Sequence, residues 1–152
     1  MKQTYIFDID GTLADVTDRL HHLEGSNEGK WDRFYKDCGQ DKPIDQTVNI
    51  LNAMWYAGYN ILFYSGRTET VRDMTIDWLD NHTAVSRHHI ENNLFMRGVE
   101  DYRKDYIIKK EWFEKLGDLK HQILGVFEDR RQVVDMWRAN GVTCYEVTNG
   151  AY

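Results

Sequence analysis

The chain has 152 residues, of which 41% are hydrophobic and 29% charged, and its formal net charge is −6 at neutral pH. This length predicts a single domain that buries about two thirds of the surface of the unfolded chain. The negative charge disfavours binding along a nucleic-acid backbone, which needs many cationic contacts, but allows the binding of one terminal phosphate. Two early aspartates interrupt the N-terminal apolar stretch and no apolar run approaches about 18 residues, so we expect neither a signal peptide nor a membrane span.

Cysteine and histidine residues do not form a metal-binding pattern. Cys38 and Cys144 lie far apart, and without a secretory signal we expect both thiols to be reduced in a cytoplasmic protein. Two pairs of adjacent histidines occur at positions 21–22 and 88–89. Neighbouring side chains on a helix diverge by about 100°, so such pairs are poor chelators.

Predicted strands and helices alternate along the chain. Hydrophobic patterns predict strands over residues 4–9, 61–64, 93–96, 122–127 and 143–147. Helical periodicity and turn residues predict helices over residues 17–23, 31–38, 44–57, 70–81, 105–116 and 131–139. This alternation indicates an α/β fold, with a Rossmann-like parallel sheet and helices on both faces.

The segment over residues 15–42 is the exception to this alternation. It carries two short helices where a tight crossover between strands would be sufficient. We therefore predict one domain, residues 1–152, with residues 15–42 as a small cap or cover inserted after the first strand. Trp31, Phe34 and Tyr35 share one helical face of this segment. Packing is the favoured role of Trp31 and Tyr35, and contact with a substrate is the alternative.

The first predicted strand ends in two carboxylates, Asp8 and Asp10, followed by Gly11 and Thr12. Residues i and i+2 of a strand point to the same side. Two like charges side by side raise each other's pKa unless a cation lies between them. Mg²⁺ prefers such oxygen ligands and also binds phosphate oxygens, and the carboxyl ends of parallel strands are where α/β proteins bind ligands. This run therefore suggests a metal-assisted phosphate site.

Two later strands also end in polar clusters. The second predicted strand is followed by Ser65-Gly66-Arg67-Thr68, and the fourth by Glu128-Asp129-Arg130. A basic helix start, from Arg103 to Lys110, lies between these two clusters in the sequence. Because the carboxyl ends of parallel strands share one edge of the sheet, we expect the three clusters to converge there.

These clusters resemble, in their usual order, the four motifs of the haloacid dehalogenase superfamily of phosphatases. More narrowly, the chain resembles the phosphatase half of phage-type polynucleotide kinase–phosphatase enzymes nearly from end to end. The resemblance includes Arg19, Ser65-Gly66-Arg67, Tyr102-Arg103-Lys104-Asp105 with Lys109, the block from Glu128 to Arg138, and Cys144-Tyr145-Glu146-Val147. It implies a haloacid dehalogenase-like fold in a phage-encoded or bacterial protein. We expect no kinase domain in this chain, because it contains no Gly-x-x-x-x-Gly-Lys-Ser/Thr phosphate loop.

The resemblance implies roles for three aspartates. Asp8 would be the nucleophile that forms an aspartyl-phosphate. Asp10 would be the general acid for the leaving oxygen and then the base that activates water. Asp129 would complete a Mg²⁺ site together with Asp8 and the backbone carbonyl of Asp10.

By the same resemblance, Lys109 would supply positive charge to the transferred phosphoryl group, with Lys104 and Lys110 as rivals. Ser65 would bind a phosphate oxygen through its hydroxyl group. Glu128 stands where related phosphatases commonly carry an aspartate. It is one methylene longer, so we expect its contact with Lys109 to shift.

Arg19 and Arg67 are expected to read the substrate, because a guanidinium group can hold a phosphate or the adjoining nucleotide through two hydrogen bonds. The resemblance implies substrate contacts for four further residues: Thr12, Gly66, Asp105 and Arg130.

The function that the resemblance implies is a Mg²⁺-dependent phosphomonoesterase that removes 3′-phosphates from nucleic-acid ends. A nucleoside 5′-monophosphatase is the first alternative, and the acidic chain without a partner domain favours it. A catalytically inactive binding protein on the same fold is the second alternative, since a fold does not determine a function. The presence of both Asp8 and Asp10 argues against an inactive protein.

Overall fold

The computed structural model describes residues 2–25 and 28–147, so residues 1, 26–27 and 148–152 of the predicted domain lie outside the described ranges. The strands are β1 (Thr4–Phe7), β2 (Ala14–Asp15), β3 (Lys42–Pro43), β4 (Asn60–Thr68), β5 (Leu94–Arg97), β6 (Ile123–Glu128) and β7 (Cys144–Glu146). The α-helices are α1 (Lys30–Lys36), α2 (Asp45–Tyr56), α3 (Arg72–His82), α4 (Arg87–Asn93), α5 (Asp105–Glu114) and α6 (Arg131–Ala139). Short 3₁₀ helices cover Thr17–Leu23, Cys38–Gln40, Glu69–Val71 and Gly117–Gln122. Within the described ranges, no helix has both the length and the apolar character that crossing a membrane requires.

Five strands form one parallel sheet in the order β5-β4-β1-β6-β7. β1 lies at the centre, with Phe7 opposite Phe63 of β4 and Phe127 of β6. The central strands are apolar at consecutive positions, as expected for strands that are covered on both faces. The predicted parallel α/β sheet is confirmed.

Alternate residues of the central strands enter two separate cores. On one face, Phe7 and Phe63 pack in a core that includes Leu51 of α2 and residues of α3 and α4. On the other face, Ile6 packs in a core with Trp137 of α6 and residues of α5. Helices therefore cover both faces of the sheet, and the edge where the strands end is left for a functional site.

Among the elements that differ from the sequence prediction are α4 and the end of β4. The sequence pattern does not predict α4, because Ile90 is its one buried residue and its other side chains are polar. Ser86 caps this helix by accepting a hydrogen bond from the backbone N–H of His89. β4 continues to Thr68, and its pairing with β5 is irregular between Ser65 and Thr68. The second polar cluster therefore lies in the last part of a strand, not in the loop after it.

The segment predicted as a cap begins and ends at a small antiparallel pair, in which Ala14 lies opposite Pro43 and Asp15 opposite Lys42. Between β2 and β3 lie two 3₁₀ helices and α1. Its buried aromatic residues belong to the same core as β1 and β4. The segment therefore packs directly on the sheet domain.

Candidate active site

Three acidic side chains meet at the carboxyl edge of the sheet. The backbone N–H of Asp8 donates to the carbonyl of Phe127 at 3.0 Å, which continues the pairing of β1 with β6 beyond the end of β1. One carboxylate oxygen each from Asp8, Glu128 and Asp129 lie within 4.8 Å of one another, and all three residues are buried. The expected convergence of the first and third clusters is present.

This acidic group has the features of a cation site. Asp129 Oδ2 is buried without a hydrogen-bond partner, which is costly unless a ligand compensates. Gly11 makes this arrangement possible, because a Cβ there would lie 2.0 Å from Asp129 Oδ2 and the residue has φ +79°. The Thr12 hydroxyl donates to Asp8 Oδ2 at 3.1 Å. These residues fit a hard divalent cation, whose preferred ligands in proteins are oxygen atoms.

The electrostatics of the acidic group favour a cation as well. Burial raises the pKa of Asp129 to about 11, and the charges of Asp8 and Glu128 add to this effect. Burial and the charge of Asp8 raise the pKa of Glu128 to about 8, against the lowering effect of Lys109. A divalent cation at this point would offset the repulsion that contributes to both shifts.

Lys109 is buried in α5 among three carboxylates. Its ammonium donates to Asp8 Oδ1 and Glu128 Oε2, both at 2.8 Å, and lies 3.2 Å from Asp105 Oδ2. Burial alone would lower its pKa, but the three carboxylates raise the pKa well above the usual value. Lys109 therefore stays protonated. The two rival lysines are exposed, so the structure brings Lys109 to the predicted nucleophile.

Both carboxylate oxygens of Glu128 have partners. Oε1 accepts hydrogen bonds from the backbone N–H groups of Asp129 at 3.0 Å and Arg130 at 3.2 Å, at the start of α6. Oε2 accepts from Lys109, so this contact forms despite the longer side chain. Glu128 thus orients Lys109 and the turn into α6, which leaves the uncompensated oxygen of Asp129 for an ion.

Asp10 lies in a second buried group, with Arg19, Arg67 and Asp41. Arg67 donates to Asp10 Oδ1 from Nε at 2.9 Å and from Nη2 at 2.6 Å. Arg19 Nη2 donates to the same oxygen at 2.9 Å. Arg19 also holds Asp41 at two points, from Nε at 2.8 Å and from Nη2 at 2.6 Å. The group contains two positive and two negative side chains, and none of these residues is more than 8% exposed.

The two guanidinium groups keep Asp10 ionised. Burial by itself would raise the pKa of Asp10, but the charges and hydrogen bonds of Arg67 and Arg19 outweigh it and lower the pKa. Burial opposes the charge of Arg67 too, yet Asp10 raises the pKa of Arg67 above its usual value. In this arrangement Asp10 is an anion that can accept a proton.

Arg19 and Arg67 each make a further contact within the protein. Besides their carboxylate partners, Arg19 donates to the carbonyl of Phe34 at 2.8 Å and Arg67 to the hydroxyl of Thr75 at 3.1 Å. Both side chains are buried. The structure directs both arginines at Asp10, and their predicted contact with a substrate stays a prediction.

Asp41 is a site residue that the sequence analysis does not identify. It lies just before β3, in a polar stretch that reads as an ordinary loop. Burial raises the pKa of Asp41 above its usual value, and the two-point contact with Arg19 offsets part of this rise. The sequence carries no signal for this role, because the burial of two arginines beside Asp10, which calls for a second counter-charge, is a tertiary feature.

Gly66 joins the second cluster to α5 and to the segment predicted as a cap. Its carbonyl accepts hydrogen bonds from the hydroxyl of Tyr35 at 3.1 Å and from Arg97 Nε at 2.9 Å. A Cβ at Gly66 would lie 2.4 Å from Asp105 Oδ1, so a larger residue would displace Asp105. That oxygen is buried without a hydrogen-bond partner, and Arg97 Nη2 lies 3.6 Å from it. Arg97 is a second residue of this edge that the sequence analysis does not identify.

The remaining predicted residues lie at the same edge. Ser65 is buried, and its hydroxyl accepts a hydrogen bond from the backbone N–H of Arg67 at 3.1 Å. Thr12 is buried beside Asp8. Arg130 is partly buried and precedes α6. Substrate contacts of these residues, and of Gly66 and Asp105, stay predictions.

A family model described as the polynucleotide kinase PNKP phosphatase domain matches residues 2–152. The chain belongs to this family. It is therefore a phosphatase domain of the haloacid dehalogenase type, as the motifs predict.

Relatives of this phosphatase domain are longer proteins. A protein of Autographa californica nuclear polyhedrosis virus, assigned as a bifunctional polynucleotide kinase/RNA ligase, is 33% identical over 135 residues, which are 86% of this chain and 17% of that protein. A chain of the Pnkp1/Rnl/Hen1 RNA repair complex is 29% identical, with a TM-score of 0.79 over 100% of this chain and 44% of the other. The class C acid phosphatase from Bacillus anthracis, at 17% identity and a TM-score of 0.68, shares the fold over 100% of this chain and 69% of its own length.

The phosphatase domain thus spans less than half the length of the first two relatives. The cytoplasmic location and the phage or bacterial source stay predictions.

Proposed function

We propose that this phosphatase domain removes 3′-phosphates from nucleic-acid ends in a Mg²⁺-dependent reaction, with Asp8 as the nucleophile. The observation that carries the proposal is the position of the Asp8 carboxylate. It lies 2.8 Å from the Lys109 ammonium and beside the buried oxygens of Asp129. A carboxylate between a fixed ammonium and a cation site suits attack on a phosphate, because the charges of both anions are offset there.

The reaction would proceed in two steps. In the first, a carboxylate oxygen of Asp8 forms a bond to phosphorus while the bond from phosphorus to the leaving oxygen breaks, and the leaving oxygen takes a proton from Asp10. In the second, Asp10 takes a proton from water. The water oxygen then forms the new bond to phosphorus, the bond to Asp8 breaks, and inorganic phosphate leaves. Asp10 ends protonated as it began, with a proton from water in place of the one that it gave to the leaving oxygen.

Asp10 must gain its proton before the first step. The free protein favours the ionised form, because Arg67 and Arg19 lower the pKa of Asp10. An arriving phosphate brings negative charge close to this carboxyl group and raises its pKa again. We infer that substrate binding itself prepares Asp10 as the acid, while the two arginines fix its orientation.

Asp8 and Asp129 would hold Mg²⁺ with their side chains, and Asp10 with its backbone carbonyl. When bound, the ion supplies positive charge to the phosphoryl oxygens. The uncompensated Oδ2 of Asp129 and the raised pKa of this residue support the ligand set. Lys109 supplies a second positive charge, and Glu128 and Asp105 hold it in place.

Family membership supports a nucleic-acid end as the substrate, since the family is that of a polynucleotide kinase phosphatase domain. The net charge of −6 agrees with recognition of one terminal phosphate and not of a long backbone. We propose that residues 15–42 form the cap over this end, because their Arg19 and Tyr35 reach Asp10 and Gly66.

The test measures phosphate release from 3′-phosphorylated oligonucleotide, 5′-phosphorylated oligonucleotide and free mononucleotides, with Mg²⁺ and with a chelator. We expect the 3′-phosphorylated oligonucleotide to react fastest, only with Mg²⁺, and Asp8→Asn to be inactive. Asp118→Asn, at an exposed aspartate near the start of β6, is the matched control and should behave as wild type.

Two outcomes would contradict the proposal. Hydrolysis of mononucleotides at least as efficient as that of the 3′-phosphorylated oligonucleotide would favour the nucleoside monophosphatase alternative. Equal phosphate release by wild type and Asp8→Asn would reject the assigned nucleophile.

A further inference from the structure

Trp31 presents part of its indole ring to solvent on the cap. It lies in the first turn of α1 and is 41% exposed, although tryptophan is usually more completely buried. Lys30 and Arg33, in the same first turn, carry positive charge. Proteins that bind single-stranded nucleic acids combine exposed aromatic rings with positive charge.

The indole is held in one orientation by two buried aromatic neighbours. Its ring stacks on that of Tyr35, with centroids 5.9 Å apart and an interplanar angle of 30°. It meets the ring of Phe34 edge-on at 5.7 Å and 89°. Phe34 in turn lies under the guanidinium of Arg19, 4.3 Å away. Tyr35 and Phe34 thus fix one side of the indole, and its exposed side can contact a ligand without a change in the conformation of the side chain.

A short chain of contacts connects Trp31 to the predicted nucleophile. The Tyr35 hydroxyl donates to the Gly66 carbonyl at 3.1 Å, and Gly66 packs against Asp105. Asp105 pairs with Lys109, which donates to Asp8. Burial raises the pKa of Tyr35, and the charge of Asp10 raises it further, so this phenol lies within reach of the site's charges. Trp31 stacks on Tyr35 and is the more exposed of the two rings.

We propose that Trp31 is a stacking platform for a nucleobase near the 3′ end of a single strand whose terminal phosphate lies at Asp8. This inference rests on the proposed function and names how the strand is held. A net charge of −6 disfavours many contacts to the phosphate backbone, so in this proposal stacking supplies much of the affinity for the strand. Because every base has an aromatic face, the platform binds without a strong sequence preference.

The experiment compares Trp31→Ala, Trp31→Phe and wild type on two substrates, a 3′-phosphorylated single-stranded oligonucleotide and p-nitrophenyl phosphate. We expect Trp31→Ala to raise KM for the oligonucleotide about 5- to 50-fold, with kcat unchanged and both constants for p-nitrophenyl phosphate unchanged. Trp31→Phe should restore most of the affinity. Tyr56→Ala is the control. Tyr56 is 78% exposed at the end of α2, near the edge of the sheet where the strands begin, whereas the site lies at the edge where they end.

A second substrate separates stacking from a structural effect. We expect the KM of wild type to be higher for an oligonucleotide with abasic sugars at its last two positions than for the intact oligonucleotide. The KM of Trp31→Ala should be almost the same for the two. If wild type dephosphorylates the oligonucleotide and Trp31→Ala has the same KM for it, the stacking role of Trp31 is overturned and the proposed function is not. Equal losses on both substrates would also overturn it, in favour of a packing role. Failure of wild type to act on the oligonucleotide while it hydrolyses p-nitrophenyl phosphate would refute the proposed function and the platform together.

Discussion

Asp41→Asn tests the idea that the buried charges around Asp10 work as one unit. The substitution keeps the size of the side chain and removes one negative charge. The group then holds two arginines against one aspartate, instead of two against two. The new amide can accept one hydrogen bond from Arg19, but its NH₂ group faces a guanidinium donor.

The expected loss of stability follows from the burial of this group. Asp41 receives two hydrogen bonds from Arg19, at 2.8 and 2.6 Å, and a third contact from Arg67 at 3.3 Å. Breaking a buried ion pair by neutralising one partner costs about 3–5 kcal/mol, because the other charge is left uncompensated. For a domain of this size, about 2–4 °C in Tm corresponds to each kcal/mol, so we expect Tm to fall by roughly 6–20 °C.

The substitution should also change the chemistry. With Asp41 neutral, Asp10 is the sole counter-ion of both arginines, so its pKa falls further and a smaller fraction of Asp10 carries the proton that the leaving oxygen needs. We expect kcat to fall more for a nucleotide 3′-phosphate than for p-nitrophenyl phosphate, whose leaving group needs less help from an acid. Both constants are measured below the Tm of the variant, after circular dichroism has established that it is folded.

Asp37→Asn is the matched control for this prediction. Asp37 lies in the same cap segment, and its side chain is 57% exposed and pairs with His22. An exposed pair of this kind contributes below about 1 kcal/mol, so neither Tm nor the substrate preference should change much. A folded Asp41→Asn protein with the Tm of Asp37→Asn would refute the view of a mutually compensating group. An equal fall of kcat on both substrates would refute the link to Asp10.

Three further predictions concern the acidic group of Asp8, Glu128 and Asp129 and the ammonium of Lys109 beside it. Gly66→Ala should lower both Tm and kcat, by about 1–3 kcal/mol in stability, because its Cβ would lie 2.4 Å from Asp105 Oδ1 and displace the partner of Lys109. Glu128→Asp should lower the free energy of unfolding by about 1–3 kcal/mol, because the shorter side chain cannot reach both the backbone at the start of α6 and Lys109. The measurement is Tm, and an unchanged Tm would contradict this role of the contacts. The third prediction concerns Mg²⁺. The pKa values of Glu128 and Asp129 are raised to about 8 and about 11, so the folded metal-free protein holds protons that the unfolded chain releases. Its stability therefore falls as pH rises from the ordinary carboxyl range towards these values. Added Mg²⁺ should therefore raise Tm more at pH about 8 than at pH about 5.5, and a larger gain at the lower pH would contradict the sign.

The sheet and its order of motifs were accessible from the sequence because they depend on patterns that are local. Buried parallel strands read as apolar runs, and the alternation with helices indicates the fold. The convergence of Asp8 with Asp129 follows from the topology alone, since both follow neighbouring strands at one edge. α4 is not predicted because it lacks such a local pattern: the helix buries one side chain, Ile90, and so has no apolar period.

The direction of a long side chain is not a local property, and here the sequence prediction was incomplete. Arg19 and Arg67 have the right chemistry for a phosphate, but their guanidinium groups reach carboxylates that come from other parts of the chain. Asp41 lies far from Asp10 in the sequence and carries no motif. Its role is set by a tertiary contact that no spacing rule contains.

The cap belongs chemically to the active site because it completes the charges around Asp10. Arg67 comes from the sheet, but Arg19 and Asp41 come from the cap segment, and Trp78 of α3 donates to the backbone carbonyl of Asp41 at 2.8 Å. Removing the cap residues would remove Arg19, one of the two arginines that contact Asp10. It would also remove Asp41, whose negative charge compensates both arginines. The pKa that Asp10 needs for proton transfer therefore depends on the cap lying on the sheet, so cap position and acid–base chemistry cannot vary independently.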